Sequence, residues 1–256
     1  MWNLLEQQLE SRLLIGTARY PSPKTMSDAI KVSGASIVTV SIRRHATNST
    51  ANDSFFEMIK KSGAHVLPNT AGARTARDAV TIAQMARQIF KTNWIKLEVT
   101  GDDYTLEPDP IETVKAAAAL VEDGFEVFPY SNDSLTLALR LLDAGCRIVM
   151  PWASPIGSGK GVRNPGALKI LRERLPTAVL IVDAGLGKPS HAAQVMEMGF
   201  DAVLLNTAIA QAIDCIAMAK AFRLAVEAGR LAFVSGLIPE QELACPSSPL
   251  VGVPFK

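Results

Sequence analysis

The sequence predicts an α/β fold, a single-domain (β/α)8 or TIM barrel over residues 1–256 with an irregular tail from about residue 236. Three observations predict it. Short, nearly continuous apolar strands alternate with helical segments eight times, the pattern of a parallel sheet covered on both faces. The chain has 256 residues, close to the roughly 250 that one such barrel needs. No change in composition marks a linker between two units. An open doubly wound sheet is the alternative, and the lack of Gly-x-Gly-x-x-Gly after the first strand counts against it.

Taken in order, residues 1–12 read as helical. Residues 13–17 form the first short apolar strand, the turn at 20–23 follows, and Thr25 or Ser27 starts a helix to Gly34. Residues 35–41 are the second strand, followed by a polar loop over 43–52 and a helix near 53–61. The third strand, 64–68, leads to a helix over 75–90 whose Ala79, Ile82, Ala83, Ala86 and Ile89 fall on one stripe. The fourth strand is 94–100, and the alanine-rich helix after it runs from Pro110 and stops at Gly124. Strand 125–129, a helix from Asp133 or Ser134, and strand 147–150 come next. A loop over 151–161, with Gly157, Gly159 and Gly161, leads to a helix over 165–175. The seventh strand, 178–183, and a helix opened by Pro189 precede the eighth strand, 202–206, and a long helix over 208–228.

Composition excludes several classes. With 48% hydrophobic and 20% charged residues the chain suits a compact core, and a net charge of +1 without a basic run gives no footprint for nucleic acid. No apolar stretch approaches the roughly 20 residues of a membrane span, and no signal peptide is expected at the start. Cys146, Cys215 and Cys245 share no disulfide-like or metal-like spacing, so a reduced, cytoplasmic protein is expected. His45, His65 and His191 stand singly, and neither a metal nor a cofactor is expected. Pro155 to Gly161 lacks the spacing of a nucleotide-binding phosphate loop and reads as a loop over the site. Arg43-Arg44 suits an anionic partner or a solvated face equally well.

The fourth strand carries the oddity. Side chains alternate across a strand, so Lys96 and Glu98 share one face while Ile95, Leu97 and Val99 share the other. The apolar set suits the helix-facing side, which puts the two charges inside the barrel. One reading is a buried ion pair that fixes packing. The other is an amine kept near neutrality by burial so that it attacks a carbonyl, with Glu98 opposing that neutrality unless it carries protons. Asp183 closes the seventh strand, as a second acid/base or as an anchor for its own loop. Gly185 and Gly187 allow a close backbone approach to an anion, and Thr207 after the eighth strand can cap a helix or bind phosphate. Loops after strands seven and eight are the usual phosphate site of such barrels.

These residues resemble a known family. Lys96-Leu97-Glu98-Val99, Pro129-Tyr130-Ser131-Asn132-Asp133, Met150-Pro151, Pro155-Ile156-Gly157-Ser158-Gly159, Val182-Asp183-Ala184-Gly185 and Leu205-Asn206-Thr207-Ala208 together resemble thiazole synthase of thiamine biosynthesis. Gly16-Thr17 with Tyr20-Pro21-Ser22, and Leu67-Pro68-Asn69-Thr70-Ala71-Gly72, extend the likeness over nearly the whole chain. The resemblance implies an enzyme that joins 1-deoxy-D-xylulose 5-phosphate, dehydroglycine and sulfur from the C-terminal thiocarboxylate of a small sulfur-carrier protein, giving a thiazole phosphate carboxylate. It implies Lys96 as the Schiff-base lysine, Glu98 and Asp183 as acid/base groups, and Gly157, Ala184, Gly185, Asn206 and Thr207 as substrate-binding positions. It also implies a homo-oligomer and a second enzyme that supplies dehydroglycine. Trp152 stands where leucine is expected, Ala18-Arg19 where Gly-Lys is common, and the opening lacks the family's glycine-containing hairpin. Another Schiff-base phosphosugar aldolase or isomerase, and a non-catalytic phosphosugar-binding paralogue, are the alternatives.

Overall fold

Eight parallel strands close into a barrel in a computed structural model that describes residues 1–42, 57–59 and 61–245. The barrel strands are β3 (Leu13–Gly16), β4 (Ile37–Ser41), β5 (His65–Asn69), β6 (Trp94–Leu97), β7 (Glu126–Ser131), β8 (Ile148–Pro151), β9 (Val179–Asp183) and β10 (Ala202–Leu205). Each pairs with its neighbour in chain order, and β10 closes on β3 through Val203↔Leu13, Leu204↔Leu14 and Leu205↔Ile15. The helices around it are α1 (Pro23–Ser33), α2 (Ala76–Phe90), α3 (Pro110–Glu122), α4 (Leu135–Asp143), α5 (Pro165–Arg174), α6 (Pro189–Glu197), α7 (Thr207–Ala210) and α8 (Cys215–Ser235). Residues 57–59 and 61 are also helical; the rest of the helix expected near 53–61 lies outside the described residues, as do Arg43-Arg44 and His45.

Local chemistry sets the helix starts. The side chains of Ser22, Thr75, Asp109, Ser134, Asn164 and Asp214 each accept a backbone N–H of the first turn. Such a cap stabilises a helix by about 1 kcal/mol. Ser22 moves the first start earlier than Thr25 or Ser27, because Pro23 lacks the N–H that a first helical position cannot use anyway.

Three expectations change. Residues 1–12 are not helical: β1 (Trp2–Leu4) and β2 (Gln7–Leu9) form an antiparallel hairpin, in register Trp2↔Leu9 and Leu4↔Gln7. Trp2 and Leu4 are buried while Asn3 between them is exposed, so the apolar period is two, not 3.6. Leu5 makes the turn at φ 55, without the glycine that normally signals it. The long last helix is broken after Ala210, and Asp214 caps a fresh start at Cys215. Finally, Ile89 does not join the buried stripe of α2; it is exposed, and Ala79, Ala83 and Ala86 make the contact.

The hairpin plugs the barrel at the N-terminal ends of the strands. Trp2, Leu4 and Leu9 pack on Leu14, Ile37, Leu67, Phe128, Ile148, Ile181 and Ala202, which point inward from the strands. Trp2 also donates its indole N–H to Ser11 O at 2.9 Å, and the Arg12 guanidinium lies 4.8 Å over its ring. The outward-facing strand residues, among them Ile95, Leu97, Val127, Val149 and Val182, form a second apolar layer with the helices. Residues 236–245 carry no helix or strand.

Candidate active site

Two residues beyond the apolar plug, the same inward parity reaches the C-terminal ends of the strands and turns polar. Leu14 is followed by Gly16, Ile37 by Thr39, Leu67 by Asn69, Trp94 by Lys96, Phe128 by Tyr130, Ile181 by Asp183 and Leu204 by Asn206. Most of these line one cavity of about 540 Å³. All eight site residues expected from the sequence line it as well: Lys96, Glu98, Asp183, Gly157, Ala184, Gly185, Asn206 and Thr207.

Lys96 is buried, with its Nζ 3.0 Å from Glu98 Oε1 and 2.5 Å from Asp183 Oδ2. Both contacts are ion pairs, and the shorter one, to Asp183, joins two fully buried groups. Thr70 aims Glu98. Regular pairing of β6 ends at Leu97, and the Thr70 hydroxyl takes over by accepting the Glu98 N–H and donating to the Glu98 carbonyl, both at 2.8 Å. Thr70 N–H also donates to Lys96 O at 3.1 Å. On the far side, Trp152 bridges to Asp183 and donates its indole N–H to Asp133 Oδ1 at 3.2 Å.

Burial pulls the Lys96 pKa down, but Asp183 and Glu98 more than offset it, so the amine is held above the ordinary lysine value. Of the two readings of this strand, a buried ion pair or an amine kept near neutrality, the electrostatics favour the first for the resting site: two carboxylates against one cation favour the ammonium. Asp183 is raised, because burial outweighs the attraction of Lys96, and Glu98 adds repulsion. A carboxylate raised in this way, touching an ammonium, is a ready acceptor for its proton. Asp183 also takes the N–H of Ala184, so it anchors its own loop while it faces Lys96.

The glycine loops meet each other before they meet any ligand. A Cβ on Gly185 would collide with Ser154, and one on Gly187 with the backbone of Gly159. Ala184 and Gly185 both take left-handed φ, 71 and 78, which turns the backbone after β9 across the cavity. Gly157 also has positive φ and faces Thr207, whose Oγ1 lies 4.0 Å from the place of its missing Cβ. Asn206 precedes α7 without capping it, and its buried Oδ1 has no partner among the described residues. Thr207 is the first residue of that four-residue helix. His191, which the sequence left without a role, accepts the Gly187 N–H on Nδ1 at 3.2 Å; burial and Lys188 lower its pKa. Among the described residues no three His, Cys, Asp or Glu side chains gather to hold a metal ion.

Some lining residues were not site candidates in the sequence. Thr39, Ser41 and Asn69 are neutral; Thr39 and Ser41 belong to no motif, Asn69 stands only within the matching stretch from Leu67 to Gly72, and all three share inward parity at strand ends. Tyr130 stands beside the triad, its ring 5.8 Å from Lys96 Nζ and edge-on to Trp152 at 6.4 Å. Burial, then the nearby carboxylates, raise its phenol pKa and keep it protonated.

Residues 3–249 match the family of the thiazole biosynthesis protein ThiG. The chain belongs to the ThiG family. It is 60% identical over 255 residues to thiazole synthase of Bradyrhizobium sp. (strain ORS 278), covering 100% of this chain and 98% of that one. Thiazole synthase of Rhodopseudomonas palustris (strain BisB5) is 58% identical with the same coverage. A solved structure of the Amycolatopsis orientalis BexX/CysO complex contains a chain that superposes with a TM-score of 0.84 at 32% identity, covering 94% of this chain and 98% of that one. A structure titled native KDPGal, at 16% identity and a TM-score of 0.61, shares the fold alone. Family membership makes the chain an enzyme of thiazole formation in thiamine biosynthesis. Among the described residues no helix is long and apolar enough to cross a membrane.

Proposed function

We propose that this ThiG-family enzyme builds its thiazole from 1-deoxy-D-xylulose 5-phosphate, dehydroglycine and sulfur delivered by a thiocarboxylated carrier protein, through an imine on Lys96. The observation that carries the reading is the buried Lys96 ammonium clamped by two carboxylates beneath a cavity edged with left-handed loop backbone.

In this reading Asp183 takes the ammonium proton and the freed amine adds to the ketose carbonyl. The carbinolamine loses water as a carboxyl group returns a proton to the leaving oxygen. The iminium acidifies the adjacent carbon, from which Glu98 removes a proton, and reprotonation moves the carbonyl along the chain. The thiocarboxylate sulfur then adds to the migrated carbonyl; its acyl group passes to the oxygen of that carbon and leaves with it as the carrier's carboxylate, so the sulfur stays on the sugar carbon. The dehydroglycine nitrogen displaces the Lys96 nitrogen, which frees the lysine, its imine carbon takes the sulfur to close the ring, and proton transfers by Glu98 and Asp183 release a second water. Gly157, Ala184, Gly185, Asn206 and Thr207 hold the phosphate end; the unpartnered Asn206 Oδ1 supports a hydroxyl there. A macromolecular partner is supported by the 32%-identical relative, which was solved in complex with CysO. Self-association is supported by exposed Leu224, Leu231 and Val234 along α8.

The test is borohydride reduction in the presence of the ketose phosphate, followed by peptide mapping. A stable adduct is expected on Lys96, and none in Lys96→Ala. An unmodified wild type, or an adduct that persists in the variant, overturns the mechanism. Product that forms from the ketose phosphate and dehydroglycine only with thiocarboxylated carrier separates this activity from a phosphosugar aldolase.

A further inference from the structure

The ion triad and the glycine loops account for only part of the cavity. Another part is the inner wall of β4 and β5, where Thr39, Ser41 and Asn69 line the space. In the closed ring, β4 stands across from β8 and β5 across from β9. The wall therefore looks over the triad toward the loops that carry Gly157 and Ala184-Gly185.

Its chemistry is that of donors without charge. Asn69 Oδ1 accepts the Ala71 N–H at 3.3 Å, an orientation that leaves its NH2 with no protein partner among the described residues. The Thr39 and Ser41 hydroxyls also have none among the described residues; only the Thr39 carbonyl is engaged, by Thr17 Oγ1 at 2.9 Å. Asn69 is the ladder partner of Lys96, so this wall begins beside the reactive amine.

A second anionic reactant needs such a wall. Glu98 and Asp183 together outnumber Lys96 in charge and repel any further carboxylate near them. Neutral donors across the cavity offer hydrogen bonds to a carboxylate without adding a cation that would compete for those two acids.

We propose that Thr39, Ser41 and Asn69 form the subsite for the carboxylate of the small two-carbon imine, opposite the loops that take the phosphate. This inference rests on the reaction proposed above. Its probe is oxamate, a stable planar carboxylate of nearly the same shape as dehydroglycine, titrated calorimetrically into the full-length protein already loaded with the ketose phosphate. Wild type is expected to bind it. Thr39→Val with Ser41→Ala, which removes two donors at little change in shape, is expected to weaken binding about tenfold or more. Asn69→Asp, which keeps the Ala71 contact and replaces the NH2 with a repelling oxygen, is expected to abolish it.

Borohydride trapping on Lys96 runs alongside in the neutral double variant. Trapping that survives with oxamate binding weakened supports the subsite. Wild-type oxamate affinity in both variants overturns it, as does loss of trapping in step with loss of binding, which would put the wall in contact with the ketose. Absence of trapping in the wild-type protein instead overturns the underlying reaction.

Discussion

The two ends of the barrel interior are built by the same strands and the same parity, and they do opposite things. At the N-terminal ends Leu14, Ile37, Phe128, Ile181 and Ala202 meet the hairpin residues Trp2, Leu4 and Leu9 in an apolar plug. Two residues further along the same strands, Gly16, Thr39, Asp183 and their neighbours ring a polar cavity. A buried leucine returns transfer free energy, whereas a buried ammonium must be compensated by partners. The apolar end supplies the stability on which the polar end can hold charge out of water. Substitutions at the two ends should therefore separate turnover from stability.

The largest effect is expected at the polar end. Asp183→Asn removes one of the two carboxylates on Lys96 and should lower product formation by roughly 10²–10⁴-fold, the usual worth of a general acid–base. The borohydride adduct should still form. Removing a negative partner destabilises the ammonium, so the Lys96 pKa falls, and the pH profile of adduct formation should move to lower pH. The thermal midpoint should change little, since the variant also removes a buried charge. Wild-type turnover with an unmoved profile would leave Asp183 as only the anchor of Ala184.

At the apolar end the order reverses. Leu4 is fully buried beneath the barrel, and Leu4→Ala should cost about 2–5 kcal/mol in a denaturant titration. The rate of adduct formation on Lys96, measured where the variant is still folded, should match that of wild type. A parallel fall in both would show that the plug shapes the site as well as supporting it.

Much of this contrast was legible in the chain because strand parity is a strict rule. Lys96 and Glu98 flanking Leu97 on an apolar strand already implied charges inside a barrel, and Asp183 at the end of its strand was their natural partner. The hairpin was hidden because Leu5 makes a left-handed turn where the usual signal is glycine or asparagine. The break before α8 was hidden by a run rich in alanine, although Asp214 was a legible cap. Thr39 and Asn69 are hard to read as site residues for a different reason. A hydroxyl or amide at a strand end is common, and only the closed ring shows that these face the triad. Nor could sequence settle the charge of Lys96, which depends on Asp183 reaching it at 2.5 Å from three strands away.

The smallest effect sharpens the comparison most cleanly, because it touches neither the plug nor the cavity. Lys91 closes α2 just before β6, with φ 53 and ψ 40, and its N–H bonds to Arg87 O. A side chain in that conformation is strained, and glycine is the residue that helices prefer there. Lys91 is exposed, so Lys91→Gly gives up little packing. The added freedom of glycine in the unfolded chain opposes the relief of strain, and the net gain should be up to about 1 kcal/mol. In a chain of this size that is a rise of roughly 2–4 °C in the thermal midpoint. Adduct formation on Lys96 should not change, although β6 begins only three residues later. If it did change, strain at the foot of β6 would reach the amine at its far end, and the division between a stabilising end and a reactive end would fail along the one strand that joins them.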